Sequence, residues 1–482
     1  MVFSSHLFLF IFLPLVLMFY YACPRGGRSL LLTVFSYVFY GWANPLFVVL
    51  MLVSTAIDFF AGRAIARGDP RNRGGEYVAL VEGGPRTRGQ KIALWASMTS
   101  NLSLLGFFKY FDFGAENFAR LFTALGWTGA GQAHFLHVVL PLGISFYTFQ
   151  SMSYAIDVYR GHAKPLKSFT DFACFISLFP QLVAGPIIRY QDVADQLLCR
   201  SHTFAKFARG VAFLSLGLAK KVLLANPCGR IADTAFDSGT LTALDAWTGV
   251  FAYTFQIYFD FSGYSDMAVG LGLMLGFVFI KNFDSPYRSL SVTEFWQRWH
   301  ISLSTWLRDY LYVPLGGNRK GPGRTYVNLM VVMLLGGLWH GASWNFVIWG
   351  GAHGAWLALE RFWKTNFAYS PPAWLRWPLT FVGVSVLWIP FRAADLDATL
   401  RYFACLWPGS GPEFSLVSAA THTPYLMVSL LFAAGVAFFG IQSWHFTRTL
   451  QSWKLGLLLL LLAVGGITLS TQSYNPFIYF IF

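Results

Sequence analysis

Apolar runs of about 18 residues or more, long enough for a helix to cross a lipid bilayer, recur along the 482-residue chain. Charged residues make up only 12% of the sequence, whereas an average soluble domain carries about 25%. Backbone polar groups in lipid must be hydrogen-bonded within the protein, so these runs are expected to be helices. We therefore predict an all-α polytopic membrane protein, with roughly 10 to 12 spanning helices, forming a single transmembrane domain over residues 1–482.

The net charge of +13 has a topological explanation. The lysines and arginines lie mainly in loops between apolar runs, as in residues 63–91, and basic loops of membrane proteins stay in the cytoplasm. A nucleic-acid partner is therefore not expected. The five cysteines are scattered without a CxxC pair, which indicates neither a disulfide framework nor a zinc site, and we expect no metal.

Several boundaries follow from this pattern. A span over residues 92–111 is followed by an external loop over residues 112–134. Residues 172–188 are apolar but contain two prolines and have basic residues on both sides, which favours a re-entrant segment. Residues 326–349 are predicted as one spanning helix.

The segment LLGGLWHGASWNFVIWGGAHG, residues 334–354, contains two histidines in an apolar, glycine-rich run. Ionisable residues at membrane depth are costly and are candidates for a functional site. His340 is the candidate general base, because a neutral imidazole can take a proton from a hydroxyl group. The alternative is a buried histidine that bonds a backbone carbonyl between helices. His353 is predicted to be structural.

A second histidine, His300, lies in an amphipathic, aromatic segment. If this segment is helical, Trp296 and His300 share a face at i,i+4. His300 is a candidate for orienting or polarising a reactant, and Arg298 or Arg308 is a weak candidate for contacting a phosphate-bearing donor. The alternative is interfacial anchoring, for which tryptophan and arginine are equally suited.

Two carboxylates, Asp260 and Asp266, lie in another long apolar run. They fit ion coupling in a transporter, or structural hydrogen bonds to neighbouring helices. The sequence contains no GxSxG elbow, no phosphate-binding Walker loop and no HExxH motif. If the protein is a catalyst, its substrate must therefore arrive already activated.

Several phrases together resemble one family, the membrane-bound O-acyltransferases, in its bacterial branch of alginate O-acetyltransferase-like proteins. They are RWHISLSTWLRDYLYVPLGGNR, GGLWHGASWNFVIWGGAHG, PLGISFYTFQSMSYAIDVYRG, FPQLVAGPIIRY and the closing NPFIYFIF. The resemblance covers nearly the whole chain. Each phrase is weak alone, but the set is specific.

The resemblance implies a ring of tilted helices, with re-entrant segments, around a central tunnel. It implies that His340 is the catalytic histidine and His300 the second site residue. It also implies a bacterial inner-membrane enzyme with no permanently bound cofactor, which takes an acetyl group from cytoplasmic acetyl-CoA. The acceptor would be an exported polysaccharide such as alginate, or a periplasmic acetyltransferase partner protein, and membrane lipid would surround the chain.

Other functions remain open at this point. A related branch transfers D-alanine to teichoic acid, and the amphipathic segment around His300 suits docking of a carrier protein. The buried Asp260, Asp266 and His340 suit an ion- or proton-coupled transporter. A docking subunit of an export complex, with its chemistry elsewhere, is a third possibility.

Overall fold

The computed structural model describes residues 1–72, 76–127, 138–367, 369–409, 412, 415–472 and 474–478. Helices account for 74% of the structure, and the described residues contain no strand, so the all-α prediction is confirmed. The end of the predicted external loop, residues 128–134, lies outside the described residues. So do the last four residues of the closing phrase, 479–482.

The chain divides into two compact units. Unit 1 comprises Met1–Val2, Leu7–Thr203 and Leu275–Phe279. Its helices are α1 (Leu13–Ala22), α2 (Arg28–Gly41), α3 (Leu46–Arg67), α4 (Arg88–Ala124), α5 (Ile144–Arg160), α6 (Phe169–Ser177), α7 (Phe179–Leu182) and α8 (Tyr190–Leu198). A π-helix over Leu7–Phe12 precedes α1.

Unit 2 comprises Phe3–His6, Phe204–Met274 and Ile280–Phe482. Its helices are α9 (Phe204–Ala219), α10 (Asn226–Phe236), α11 (Ala243–Met274), α12 (Val292–Arg298), α13 (Ile301–Leu307), α14 (Pro322–His340), α15 (Trp344–Asn366), α16 (Ala373–Arg392), α17 (Leu396–Cys405), α18 (Leu416–Thr421), α19 (Pro424–Phe439), α20 (Ser443–Phe446) and α21 (Ser452–Thr471). Two π-helical turns, Lys220–Ala225 and Arg308–Tyr312, extend α9 and α13. The prediction of a single domain over residues 1–482 stays a prediction.

Three helices among the described residues are both long and apolar enough to cross a membrane: α3, α16 and α21. The segments Leu7–Ala22 and Pro424–Phe439 are shorter and also apolar. The number of spans, the ring and the central tunnel remain predictions.

Two predicted boundaries are wrong. Helix α4 continues to Ala124, well into the predicted external loop, since it meets no proline or cap signal at residue 112 and its capping box at Thr87 and Gln90 fixes only its start. The predicted single span over residues 326–349 is two helices, because the backbone turns to extended angles at Gly341 and Ser343. His340 therefore ends a helix instead of lying within one.

The glycines around His340 bring helices α14 and α15 together. A Cβ on Gly337 would overlap the carbonyl oxygen of Phe346, and a Cβ on Gly350 would overlap that of Met333. Small residues let helix backbones approach closely where there is no hydrophobic driving force between helices in lipid. These two glycines therefore fix the position of the turn that carries His340.

Candidate functional site

His340 is the last residue of α14, at the turn into α15. Its side chain is nearly enclosed, with 8% relative exposure. The ring centroid of Trp349 lies 5.3 Å from the imidazole centroid and that of Phe391 lies 5.2 Å away, while Trp339 lies at 4.9 Å. Aromatic rings thus form much of the wall around this histidine, which keeps its surroundings poor in water.

The backbone at His300 corrects the prediction that Trp296 and His300 share a helical face. Helix α12 ends at Arg298, and His300 adopts the left-handed conformation with φ of 44°. Only Ser285 shares a positive φ among the described residues other than glycine. Such a backbone costs about 1–3 kcal/mol and persists only where its surroundings hold it.

Asn282 holds this strained turn. Its backbone carbonyl accepts a hydrogen bond of 2.9 Å from the Ile301 amide. Its side-chain Oδ1 accepts hydrogen bonds from the amide and hydroxyl groups of Ser302, at 3.2 and 2.9 Å. The Nδ2 group of Asn282 in turn donates to Ser265 Oγ at 2.8 Å, which anchors the whole turn to helix α11.

The same network assigns the tautomer of His300. Its Nδ1 lies 3.3 Å from Asn282 Oδ1 and 3.3 Å from Ser302 Oγ. Since the Ser302 hydroxyl proton is directed to Asn282, Nδ1 is best assigned as the donor, which leaves a lone pair on Nε2. His300 is fully buried, and its Nε2 atom has no hydrogen-bond partner among the described residues.

The structure brings the two predicted site residues together. The ring centroids of His300 and His340 lie 6.4 Å apart, although 39 residues separate them in sequence. The edge-on ring of Phe261 lies 4.6 Å from His300. The arrangement offers two imidazoles in an apolar surround, one of them with an unpaired buried nitrogen.

His353 lies beside this site, is also fully buried, and its Nε2 likewise has no hydrogen-bond partner among the described residues. Trp296 Nε1 donates a long hydrogen bond of 3.4 Å to His353 Nδ1. The Trp349 ring centroid is 5.0 Å from His353 and 5.3 Å from His340, so it separates the two. The structural role of His353 stays a prediction.

The two candidate arginines are both engaged in ion pairs. Arg298 pairs with Glu294 at 2.8 Å and donates to the carbonyl of Asp284. Arg308 pairs with the adjacent Asp309 at 2.7 Å. Their role as donor-binding residues stays a prediction.

Asp260 and Asp266 each have a lysine partner from the π-helical turn after α9. Lys221 lies 2.7 Å from Asp260, with both side chains almost fully buried, and Lys220 lies 2.6 Å from Asp266. Asp260 also accepts a hydrogen bond from the Ile478 amide, and Asp266 accepts one from Ser443. These carboxylates therefore hold the chain's final segment and helix α20 in place.

Sequence reasoning missed Asn282, the residue with the most direct control over His300. A polar residue at the end of a long apolar run, 18 positions before His300, was the only available signal. Its contact with His300 could not be predicted, because it depends on the segment after α11 packing against the turn between α12 and α13. No group of three or more potential metal ligands occurs in the described part of the chain.

The chain is similar to a known protein family and to several known proteins. A model of the membrane-bound O-acyltransferase family matches residues 165–391, a range that includes Asn282, His300 and His340. The probable alginate O-acetylase of Azotobacter vinelandii is 42% identical over the full length of both chains. The peptidoglycan O-acetyltransferase of Helicobacter pylori is 35% identical over 83% of this chain and 79% of its own.

A more distant relative is the teichoic acid D-alanyltransferase of Streptococcus thermophilus. It is 30% identical over 46% of this chain and 57% of its own. The names of these three relatives describe transfer of an acyl group, with alginate, peptidoglycan and teichoic acid as the named polymers. The full-length match and the family match together establish that this chain belongs to the membrane-bound O-acyltransferase family and is a membrane-embedded O-acyltransferase.

Proposed function

We propose that the protein transfers an acetyl group from cytoplasmic acetyl-CoA across the bacterial inner membrane, for O-acetylation of an exported polysaccharide such as alginate. His340 is the general base in this proposal. The observation that carries it is the juxtaposition of His340 and His300, 6.4 Å apart, in an aromatic enclosure where His300 Nε2 has no partner in the described chain. The acetyl acceptor is the polysaccharide itself or a periplasmic partner protein that acetylates it.

The proposed reaction needs one base and an activated donor. His340 removes the proton from the acceptor hydroxyl as its oxygen attacks the thioester carbonyl carbon. The carbon–sulfur bond then breaks, the acetyl ester forms, and the imidazolium returns the proton to the departing CoA thiolate. No ATP is consumed, because the thioester already carries the activation.

The position of His340 supports this use of the imidazole. It lies at the carboxyl end of α14, where a positive charge is favoured by about 0.3–1 kcal/mol, so the imidazolium formed during the reaction gains stability. The aromatic rings around it limit access of water, which favours transfer to a hydroxyl group over hydrolysis.

The tautomer assigned to His300 narrows its role. An Nε2 atom with a lone pair accepts a hydrogen bond and cannot donate one to a thioester carbonyl. Of the two roles predicted, orientation and polarisation, orientation is therefore favoured. In this role, His300 accepts a hydrogen bond from a donor group of the acceptor other than the reacting hydroxyl. This bond orients the acceptor so that the reacting hydroxyl points toward His340.

Two alternatives are less well supported. The D-alanyltransferase relative aligns with under half of this chain, whereas the O-acetylase relative aligns with all of it, which favours acetyl transfer. Proton or ion coupling would use Asp260 and Asp266, but each carboxylate already has a lysine partner.

The experiment that tests this function uses inside-out membrane vesicles containing the protein. Acetyl-CoA with a deuterated acetyl group is supplied outside, and polymer and proteins from the lumen are examined by mass spectrometry. We expect deuterated acetyl esters in the lumen, and none in vesicles without the protein. Esters that form only when a carrier loaded with deuterated D-alanine replaces acetyl-CoA, or no ester with either donor, would contradict the proposal.

A further inference from the structure

Unit 1 contains a cationic cluster formed by Tyr20 near the end of α1, Arg28 at the start of α2, and Arg200 and His202 in the segment after α8. We propose that this cluster is a binding site for a phosphate-bearing anion at the cytoplasmic face. The proposal does not depend on acetyl transfer, and the residues are distinct from the histidine site of unit 2.

The hydroxyl group of Tyr20 is the fixed centre of this cluster. The Tyr20 side chain is fully buried, and its hydroxyl donates to the carbonyl of Leu275 at 2.7 Å. Having used its only proton, it accepts from His202 Nε2 at 2.9 Å and from Arg200 Nη1 at 3.3 Å. Gly276 lies so close to the His202 ring that a Cβ would fall 2.7 Å from Nε2.

Both guanidinium groups are oriented by neutral partners. Arg28 Nε donates to the Cys23 carbonyl at 3.2 Å, and its guanidinium lies 5.0 Å from the Tyr20 ring centroid. Arg200 Nη2 donates to Ser29 Oγ at 2.6 Å. His202 Nδ1, which holds the lone pair once Nε2 donates to Tyr20, lies 3.5 Å from Arg28 Nη1. The two arginines thus share the Tyr20–His202 pair.

Among the described residues, no carboxylate is paired with either arginine of this cluster. Neither Arg28 nor Arg200 forms an ion pair within the residues that the structure describes, whereas Arg71 pairs with Asp69 and Arg189 with Asp192. Both unbalanced arginines are half-buried, so each has lost part of its hydration. Stacking on Tyr20 and Phe277 offsets only part of that cost.

The remaining hydrogen-bond donors indicate the ligand. Each guanidinium has five N–H donors, and the bonds above use two on each. The two guanidiniums lie on the same Tyr20–His202 pair and keep N–H donors for a ligand. Arginine binds phosphate in a bidentate manner, and two positive charges suit the charge of a phosphate. A carboxylate ligand would neutralise one charge at most.

The side of the membrane restricts the source of the phosphate. Helix α3 leads into the basic segment that begins at Arg63, which positive charge assigns to the cytoplasm. With α2 and α3 each crossing the bilayer once, the end of α2 that carries Arg28 lies on the same side. The available phosphates there are headgroups of inner-leaflet phospholipids and soluble nucleotide derivatives such as coenzyme A.

The test uses the full-length protein in phosphatidylcholine nanodiscs, with two arms. Binding of coenzyme A is titrated by calorimetry, and retention of added phosphatidylglycerol is counted by native mass spectrometry. The variants are Arg28→Gln and Arg200→Gln, with Arg200→Lys retaining the charge but not the fork. The matched control is Arg71→Gln, which removes an arginine from the same face that already has a carboxylate partner.

We expect Arg28→Gln and Arg200→Gln to weaken binding about tenfold in one arm, as loss of a charged hydrogen bond predicts, with Arg200→Lys intermediate and Arg71→Gln within about twofold of the unmodified protein. An effect in the first arm identifies a soluble phosphate, and an effect in the second identifies a lipid headgroup.

The proposal is overturned if, in both arms, the two glutamine variants bind as Arg71→Gln does while their melting temperatures are unchanged. If these variants unfold, Arg200→Lys decides: binding equal to that of the unmodified protein in both arms contradicts the proposal. None of these variants alters His300 or His340, so failure of the catalytic proposal leaves this result intact.

Discussion

Two buried polar clusters of unit 2 differ in how completely their groups are paired. In the lysine–aspartate cluster, Lys220 and Lys221 meet Asp266 and Asp260 at 2.6 and 2.7 Å. In the histidine pair, Asn282 holds His300 through its Nδ1 atom only. The Nε2 atom of His300 is buried with no partner in the described chain.

This difference separates groups that hold the fold from groups that can act on a reactant. A buried ion pair with further hydrogen bonds satisfies its own atoms and has little left to offer a substrate. A buried imidazole nitrogen without a partner carries a cost of about 1–3 kcal/mol, which a bound hydroxyl group would remove. The comparison predicts that substitutions in the two clusters fail in different ways.

The largest expected effect is on catalysis by His340→Ala. Loss of a general base lowers the rate per folded molecule by about 100-fold to 10,000-fold. The assay is acetyl transfer by purified protein, with thermal unfolding measured in parallel. His353→Ala is the matched control, since it removes a neighbouring buried histidine and should retain far more activity per folded molecule.

The second effect concerns stability. Lys221→Met leaves Asp260 buried without its cation, which costs about 3–5 kcal/mol and lowers the melting temperature. Activity per folded molecule should stay close to that of the unmodified protein. The double variant Lys221→Met with Asp260→Leu should recover part of the loss. A stable Lys221→Met protein that has lost transfer would instead favour a functional role for this cluster.

A smaller effect is expected for Asn282→Leu. The variant removes the hydrogen bond to His300 Nδ1 and also those to Ser302 and Ser265, so the melting temperature should fall. The bond to His300 alone contributes about 0.5–1.5 kcal/mol, so the rate per folded molecule should fall roughly tenfold or less. The pH–rate profile of Asn282→Asp should differ from that of Asn282→Leu. A carboxylate beside the His300 ring favours the imidazolium, so activity should be lost at a higher pH on acidification. Identical profiles for the two variants would show that Asn282 acts only through the fold.

The smallest effect is expected for Arg298→Gln. The Arg298–Glu294 pair is about one-third exposed, and such pairs contribute about 0–1 kcal/mol. Melting temperature and maximal transfer rate should both stay near their original values. A marked rise in the acetyl-CoA concentration needed for half-maximal rate would instead support the donor-binding role.

Much of the fold could be predicted from local sequence. Apolar run length predicted an all-α chain, and α3, α16 and α21 are long and apolar enough to cross a membrane. The break after His340 was not predicted, since Gly341 is compatible with a helix and the turn depends on packing against α15. The left-handed backbone at His300 likewise depends on Asn282, which lies on another segment.

The site was predicted in its main residues but not in its support. Rarity of ionisable residues in apolar runs singled out His340 and His300, as well as Asp260 and Asp266. The sequence could not show which partners hold these groups. Lys221, Lys220 and Asn282 lie 18 to 46 positions away from Asp260, Asp266 and His300, which they contact. Pairing at that distance is a property of the tertiary structure.

The most direct test of the account is to measure CoA thiol release and acetyl ester formation together, for the unmodified protein and for His340→Gln supplied with acetyl-CoA and acceptor. The account predicts one thiol released per ester formed by the unmodified protein, and loss of both products in a folded His340→Gln protein. Equal rates in the two proteins would contradict it.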